Sequence, residues 1–180
     1  TDATLQLSGE AVDVSARWDP QAWSATAEVR SLPLDRWVPG VDAPRLDARL
    51  HASGHGTSLD AASAHEIVLR ARGGQLVGNA DLDEGLRATF ELDADLADAL
   101  GPPASGRLVG PIAIEADDLA SLRAASVTGA ITAEHVHIAG THIDGGLAID
   151  GSFRHIDVRS QFDVSGSVTG VIQSTATIED

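Results

Sequence analysis

Cysteine, methionine, lysine and tyrosine do not occur in this 180-residue chain, and aromatic residues make up only 3% of it. Without cysteine there is neither a disulfide framework nor a thiolate metal site. Without lysine, all twelve basic residues are arginines. They stand against 27 acidic residues, for a formal net charge of −15. Phosphate backbones are bound by clustered Lys and Arg, so this balance argues against nucleic acid as a partner. It also disfavours docking flat on an anionic lipid surface, which would repel the chain. No apolar run reaches the length of a membrane-spanning helix, and no signal-peptide pattern opens the chain. Because the first residue is Thr1 and not methionine, the chain is expected to belong to a longer or processed polypeptide, with any export signal or anchor outside it.

What is present is alternation with period two, the mark of strands with one apolar face. Leu5 and Leu7 begin it, followed by Val12 to Trp18, Trp23 to Val29, and Leu46 to Ala52. Ile67, Leu69 and Ala71 continue the pattern, then Leu76 to Leu82 and Leu86 to Ala94, which includes Phe90 and Leu92. The second half repeats the habit in Leu108, Ile112 and Ile114, in Val127 to Ala133 and in Val136 and Ile138. Ile143, Leu147 and Ile149 come next, then Ile156, Val158, Ser160, Phe162 and Val164, and finally Val168 to Ala176. This predicts about a dozen strands.

Turn signals separate the runs: Ser8-Gly9, Asp19-Pro20, Gly73-Gly74, Asp83-Glu84-Gly85, Gly140, Asp150-Gly151 and Ser165-Gly166. Three stretches break the rhythm. Ser31 to Pro44 carries three prolines and is not expected to form a central strand. Asp95 to Leu100, before Gly101-Pro102-Pro103, predicts one helical turn, and Asp117 to Ala125 a turn or helical loop. Such breaks at intervals of roughly sixty residues hint at a degenerate repeat. Residues 1–180 are therefore expected to form one unit, with 1–105 and 106–180 as two degenerate repeats within it.

A sheet with one apolar face must cover it or offer it to something. The expected fold is all-β: a long, antiparallel-rich sheet curled into a trough with an apolar concave face. The alternative is a β-sandwich, two such sheets packed across ~10 Å. The inward side chains are small, aliphatic and poor in hydrogen-bond donors, which suits a fluid hydrocarbon chain better than an aromatic-anchored core. Its expected lining is Leu69, Leu82, Phe90 and Leu92, then Ile112, Ile114, Val127, Ile131, Val136, Ile138, Ile143, Leu147, Ile149, Ile156, Val158, Phe162 and Val164. About three inward residues per strand make a wall roughly 15–20 Å high, and a dozen strands extend it to nearly 60 Å.

The order of segments adds a resemblance. Gly106-Arg107-Leu108, Ile112-Ala113-Ile114-Glu115 and Leu119 to Leu122 lead into Val127-Thr128-Gly129-Ala130-Ile131-Thr132-Ala133. Val136-His137-Ile138-Ala139-Gly140-Thr141-His142-Ile143 and Gly146-Leu147-Ala148-Ile149-Asp150-Gly151 follow. This succession resembles the repetitive segments of the TamB family of AsmA-like envelope proteins. Leu34-Asp35-Arg36-Trp37-Val38-Pro39, ahead of Leu46 to Leu50 and Gly54, is similar to the segment between such repeats. The resemblance implies a piece of an inner-membrane-anchored protein that spans the periplasm as a U-shaped β "taco". It further implies phospholipid acyl chains as cargo, a link to outer-membrane protein assembly, and a barrel partner bound through regions outside this segment. It implies no catalytic residue and no cofactor.

Other constellations favour bland readings. His135, His137, His142, Asp144, His155 and Asp157 could converge on a metal across paired strands, but with Val136 and Ile138 inward the histidines are expected to face water. Asn79 to Gly85 echoes a calcium loop yet lacks the glycine and bidentate glutamate such a loop needs, and is read as a polar turn. His51-Ala52-Ser53-Gly54-His55 is read as a turn at a strand end, not as a nucleophile with its base. No phosphate loop, Gly-x-Ser-x-Gly elbow or catalytic triad order occurs. Trp18, Trp23 and Trp37 are expected to cap one end of the apolar face. The chain is thus read as a non-enzyme without metal, either a lipid groove or an adhesin-like interaction module. Unpaired edge strands also make edge-to-edge self-association an expectation.

Overall fold

The computed structural model describes residues 3–33, 45–56, 61–83, 85–117, 124–152 and 155–179. These form one twelve-stranded antiparallel sheet whose strands lie side by side in chain order. The strands are β1 (Ala3–Ser8), β2 (Val12–Trp18), β3 (Ala22–Pro33), β4 (Arg45–His55), β5 (Ala61–Ala71) and β6 (Gly74–Asp83). After β7 (Leu86–Asp95) comes the single described helix, α1 (Leu96–Leu100). Then follow β8 (Ala104–Ala116), β9 (Ser126–Ile138), β10 (Thr141–Ser152), β11 (His155–Gly166) and β12 (Gly170–Glu179). The sheet does not close: β1 pairs only with β2, and β12 only with β11, among the described residues. One continuous sheet replaces the sandwich alternative. It also runs unbroken through 105/106, which falls inside β8.

Short turns carry the meander. Asp19 holds the β2–β3 turn by accepting the backbone N–H groups of Gln21 and Ala22 at 2.8 Å each. Those two donors keep its carboxyl below the ordinary carboxylate range. Two of the expected turns lie elsewhere. Asp150-Gly151 belongs to β10, paired with Asp157 and Ile156, and Ser165-Gly166 ends β11. Ser31 to Pro33 completes β3, with Pro33 as its last residue, where a missing donor costs least. Residues 34–44 and 118–123, including Trp37 and the segment that resembles the family's between-repeat stretch, lie outside the described residues.

Three bulges adjust the pattern. Each places a non-glycine residue at positive φ: Ser31 at 53°, Glu66 at 54° and His135 at 51°. At each, two residues of one strand face one of its neighbour. The extra residue lets apolar positions change from odd to even numbers, or the reverse, while staying on one face: Val29 to Leu32, Ala64 to Ile67, Ala133 to Val136. Two of the exposed N–H groups are caught from the neighbouring strand, Ser31 by Asp47 Oδ1 at 2.7 Å and Glu66 by Asn79 Oδ1 at 3.4 Å. The bulge at His135 also joins what read as two strands, Val127–Ala133 and Val136–Ile138, into β9. Bulges bend and twist a sheet locally, and here they occur in β3, β5 and β9.

The helix is as expected. Asp95 caps it by accepting the N–H groups of Ala97 and Asp98 at 2.8 and 3.1 Å, and Gly101 ends it at φ 77°. Its Leu96 is buried against Ala104, Ala133 and Val136, with Leu108, Ile143 and Phe162 around them. Asp95→Ala should therefore cost about 1 kcal/mol, as an N-cap loss does. A urea melt of the variant beside the parent checks this, and an unchanged midpoint would contradict the capping role.

The sheet bends around its apolar side. Along β4, β6 and β9, most apolar positions on the inner face are buried or half-buried while most positions between them are exposed. A flat single layer would expose both faces alike. Nevertheless, among the described residues nothing covers the inner face as a second sheet would. No large side chain is fully buried among the described residues. The accessible surface is 11761 Å², against roughly 8,200 Å² for a compact globule of this mass.

Candidate functional site: the apolar wall

Residues directly opposite in antiparallel pairs share a face, so the pairing can be followed across the whole sheet. Beginning at Leu5, one row passes through Ala16, Ala25, Ala52, Ala64, Ala80 and Ala88, then Ile114, Val127, Gly151, Ile156 and Ile178. It crosses all twelve strands by direct pairs and meets no polar side chain. A second row, two residues along, runs Leu7, Val14, Ala27, Leu50, Ile67, Gly78, Phe90, Ile112, Gly129, Ile149, Val158 and Ala176, its only offset being the β5 bulge. A third includes Leu69, Leu76, Leu92, Ile131 and Leu147 and ends in Ser160 and Ser174. Those two hydroxyls hydrogen-bond each other at 2.8 Å, so they satisfy one another within the wall. A fourth takes in Ala94, Leu108, Ala133, Gly145, Phe162 and Ile172.

All seventeen expected lining residues fall on this one face. Val127, Ile131, Val136 and Val164 are buried, Ile138 is 38% exposed, and the other twelve are half-buried. Half-burial is what a wall shows when its side chains touch their row neighbours and nothing above them. Where α1 seats Leu96 among Ala104, Ala133, Val136 and Phe162, the face is covered, so the fourth row is closed at β8–β11. Among the described residues, no helix is seated on the first three rows there.

The expected lining omitted the alanines of the first row and the whole of β1 to β4. Their alternation is equally visible in the sequence, in bulky residues such as Leu7, Val14 and Leu50 as well as in the alanines. The small residues make room. A Cβ on Gly54 would stand 2.6 Å from the Trp23 indole, and one on Gly78 would stand 2.5 Å from the Phe90 ring, so both aromatic rings lie across glycine. Trp23 pairs across with Trp18, which places both at one end of the face.

The opposite face is polar and ion-paired. Arg30 bridges Asp13 and Glu28 at 3.0 Å each, and Arg49 reaches Glu28 at 3.5 Å. The Arg30 guanidinium hydrogen-bonded to Glu28 holds that carboxyl below its ordinary range. A surface groove of about 640 Å³ over β9–β12 is lined by Thr132, Arg159, Gln161, Asp163 and Gln173 among others. His137 and His142 stack with centroids 4.5 Å apart, and His142 Nε2 lies 2.7 Å from Asp144 Oδ2. His155 Nε2 lies 3.5 Å from Asp157, and the bulge sets His135 apart from His137. No three His, Asp or Glu side chains converge as metal ligands among the described residues. Asn79, Asp81 and Asp83 alternate along the straight strand β6, not around a turn, so they cannot encircle a calcium ion. His51 to His55 is likewise strand, the end of β4, with the His51 ring 3.1 Å from Thr26 Oγ1.

The fold and lining define a class: an open, single-layer antiparallel β sheet, apolar on its inner face and ionic on its outer one. No family model, curated protein or solved structure matches the chain.

Proposed function

We propose that the apolar wall holds and conducts hydrocarbon chains, as a non-catalytic segment of an envelope protein of the TamB-like kind. The observation that carries the reading is the row from Leu5 to Ile178, apolar at every one of twelve strands. Three intervals between four rows, at two residues each, give a wall about 20 Å high. A leaflet's hydrocarbon layer is roughly 15 Å deep. An acyl chain laid along the strands therefore finds aliphatic contact along its length, while its head group stays in water beyond the strand ends. Successive strands, ~4.8 Å apart, repeat nearly the same surface. Burial changes little from one strand to the next, so movement along the rows needs no chemistry, only supply at one end and removal at the other.

Such a wall is useful in an aqueous space between two membranes, and on this reading the segment works in the periplasm, in phospholipid transport towards the outer membrane or in outer-membrane protein assembly. The outer face, with its net negative charge, keeps it soluble there and clear of anionic head groups.

Lipid extraction of the purified chain followed by mass spectrometry should recover phospholipid. Leu147→Asp and Val158→Asp, at half-buried wall positions, should lose most of it while retaining the parent's far-ultraviolet circular dichroism. A lipid-free parent, or folded variants with undiminished lipid, would remove the support for the groove.

A further inference from the structure

On the outer face, His137 of β9 and His142 of β10 stand directly opposite each other, with their rings stacked 4.5 Å apart between centroids. Each ring turns its Nδ1 to a backbone carbonyl, His137 to that of His135 at 3.0 Å and His142 to that of Val136 at 3.1 Å. A carbonyl oxygen only accepts, so Nδ1 donates in both rings and Nε2 is left as the ligating nitrogen. Metal-binding histidines are held in this manner, by a hydrogen bond from the ring nitrogen that does not bind the ion. The Nε2 of His142 also lies 2.7 Å from Asp144 Oδ2. A nitrogen lone pair and a carboxylate oxygen at that distance repel each other unless a cation, proton or metal ion, stands between them.

The strand pairing gathers further negative charge around this point. Asp144 is directly opposite Asp163 of β11. On its other side it faces the β9 bulge, Glu134 and His135, because Ile143 pairs with Val136 and Gly145 with Ala133. Like charges set opposite one another destabilise a sheet, and a bound cation relieves that cost. Arg107, opposite Glu134, is engaged by Asp93 at 2.6 Å. His137, Asp144 and Asp163 are exposed and His142 is half-buried, so an ion can reach them from water.

We infer that this corner of the outer face binds a divalent transition-metal ion of the zinc–copper kind, through His142 Nε2, Asp144 and His137 Nε2, with water completing the shell. Imidazole and carboxylate without thiolate suit zinc or copper, whereas magnesium and calcium take shells of oxygen. An ion about 2.1 Å from each donor needs the nitrogen and the oxygen roughly 3 Å apart, slightly more than the pair of His142 and Asp144 now shows. Two donors are therefore nearly in place. The third comes from His137, whose ring has only to tilt towards the ion across the stack. The site clips β9 to β10 beside the turn at Ala139-Gly140, on the face opposite the apolar wall, so it does not depend on the groove.

Calorimetric titration of the 180-residue chain, free of any polyhistidine tag, with zinc chloride near neutral pH tests this. The parent should bind one ion per chain in a saturable isotherm, and magnesium chloride should give none. His142→Asn should abolish the binding. Asp144→Asn should weaken it by about 10-fold or more, at least what losing an outer partner of a metal ligand costs. His155→Asn is the control: His155 lies 3.5 Å from Asp157 but stands opposite Ser152 and Glu179, not a second histidine, and its loss should leave the isotherm unchanged. A second readout needs no substitution. Copper(II) added well below one equivalent should broaden the ring-proton resonances of His137 and His142 before those of the other five histidines. A parent without saturable zinc binding overturns the inference, and so does equal loss in His155→Asn or earlier broadening at any other histidine.

Discussion

Ile131→Asp should destabilise the sheet by about 3–5 kcal/mol, the usual cost of leaving a charge buried without a partner. Ile131 is 5% exposed in β9, its row neighbours are Leu147 and Gly110, and the rows around it hold no cation among the described residues. Its carboxylate would either stay charged in apolar surroundings or take up a proton to avoid that, and both routes draw on folding free energy. At roughly 2–4 °C per kcal/mol for a chain of this size, the melting point should fall by about 6–20 °C. Ile138→Asp supplies the control. It lies in the same strand and on the same face but is 38% exposed, and it should cost under about 1 kcal/mol. Thermal melts of the two variants side by side decide the point. Equal losses would mean that exposure along β9 does not follow the wall as described.

Gly78→Val should cost about 3 kcal/mol, at the upper end of the range for overpacking a filled site. A Cβ there would stand 2.1 Å from the Thr89 carbonyl oxygen as well as 2.5 Å from the Phe90 ring. The ring could turn aside, but the carbonyl belongs to the β6–β7 ladder and could move only by breaking pairs. The same substitution at Gly170 meets nothing within 4 Å and puts a β-branched residue into a strand, so it should be neutral or slightly stabilising. The two glycines thus answer one mutation differently, and denaturant titration reads both. If Gly78→Val left the midpoint where it was, the ring of Phe90 would not lie over that glycine.

These two tests bear on the wall in different ways. Ile131 measures how dry its deepest part is, and Gly78 measures how closely a large ring is let into a lining of small residues. A groove that carries hydrocarbon needs both properties: an aliphatic surface without stranded donors, and a depth limited by small side chains and not filled by large ones. The alanines at Ala16, Ala25, Ala52, Ala64, Ala80 and Ala88 provide the second property along half of the first row. The helix α1 works against it at one place, where Leu96 fills the end of the face above Val136 and Phe162.

Much of this was legible before any pairing was known. A period of two is local, so the runs from Leu5 to Ala176 declared their strands, and the side chains of each run declared which face was apolar. The cap at Asp95 and the stop at Gly101 were local too, and the helix lies where they put it. The bulges were only half legible. The switch of apolar positions from Ala133 to Val136 stands in the sequence, yet it reads equally well as a turn between two strands. What decides is that Glu134 and His137 find partners in one and the same neighbouring strand, Arg107 and Ser105 of β8, with Gly106 between them. Asp150-Gly151 failed in the same manner, because a turn dipeptide continues a strand whenever Asp157 and Ile156 lie opposite to pair with it. The sequence by itself, then, determined that this protein is a set of strands with one small, aliphatic face. Only the tertiary structure decided that all twelve join in one open sheet and that their apolar positions align into rows across it. The reason is physical: facing direction is set within a few residues of backbone, whereas alignment and covering depend on contacts between residues far apart in the chain.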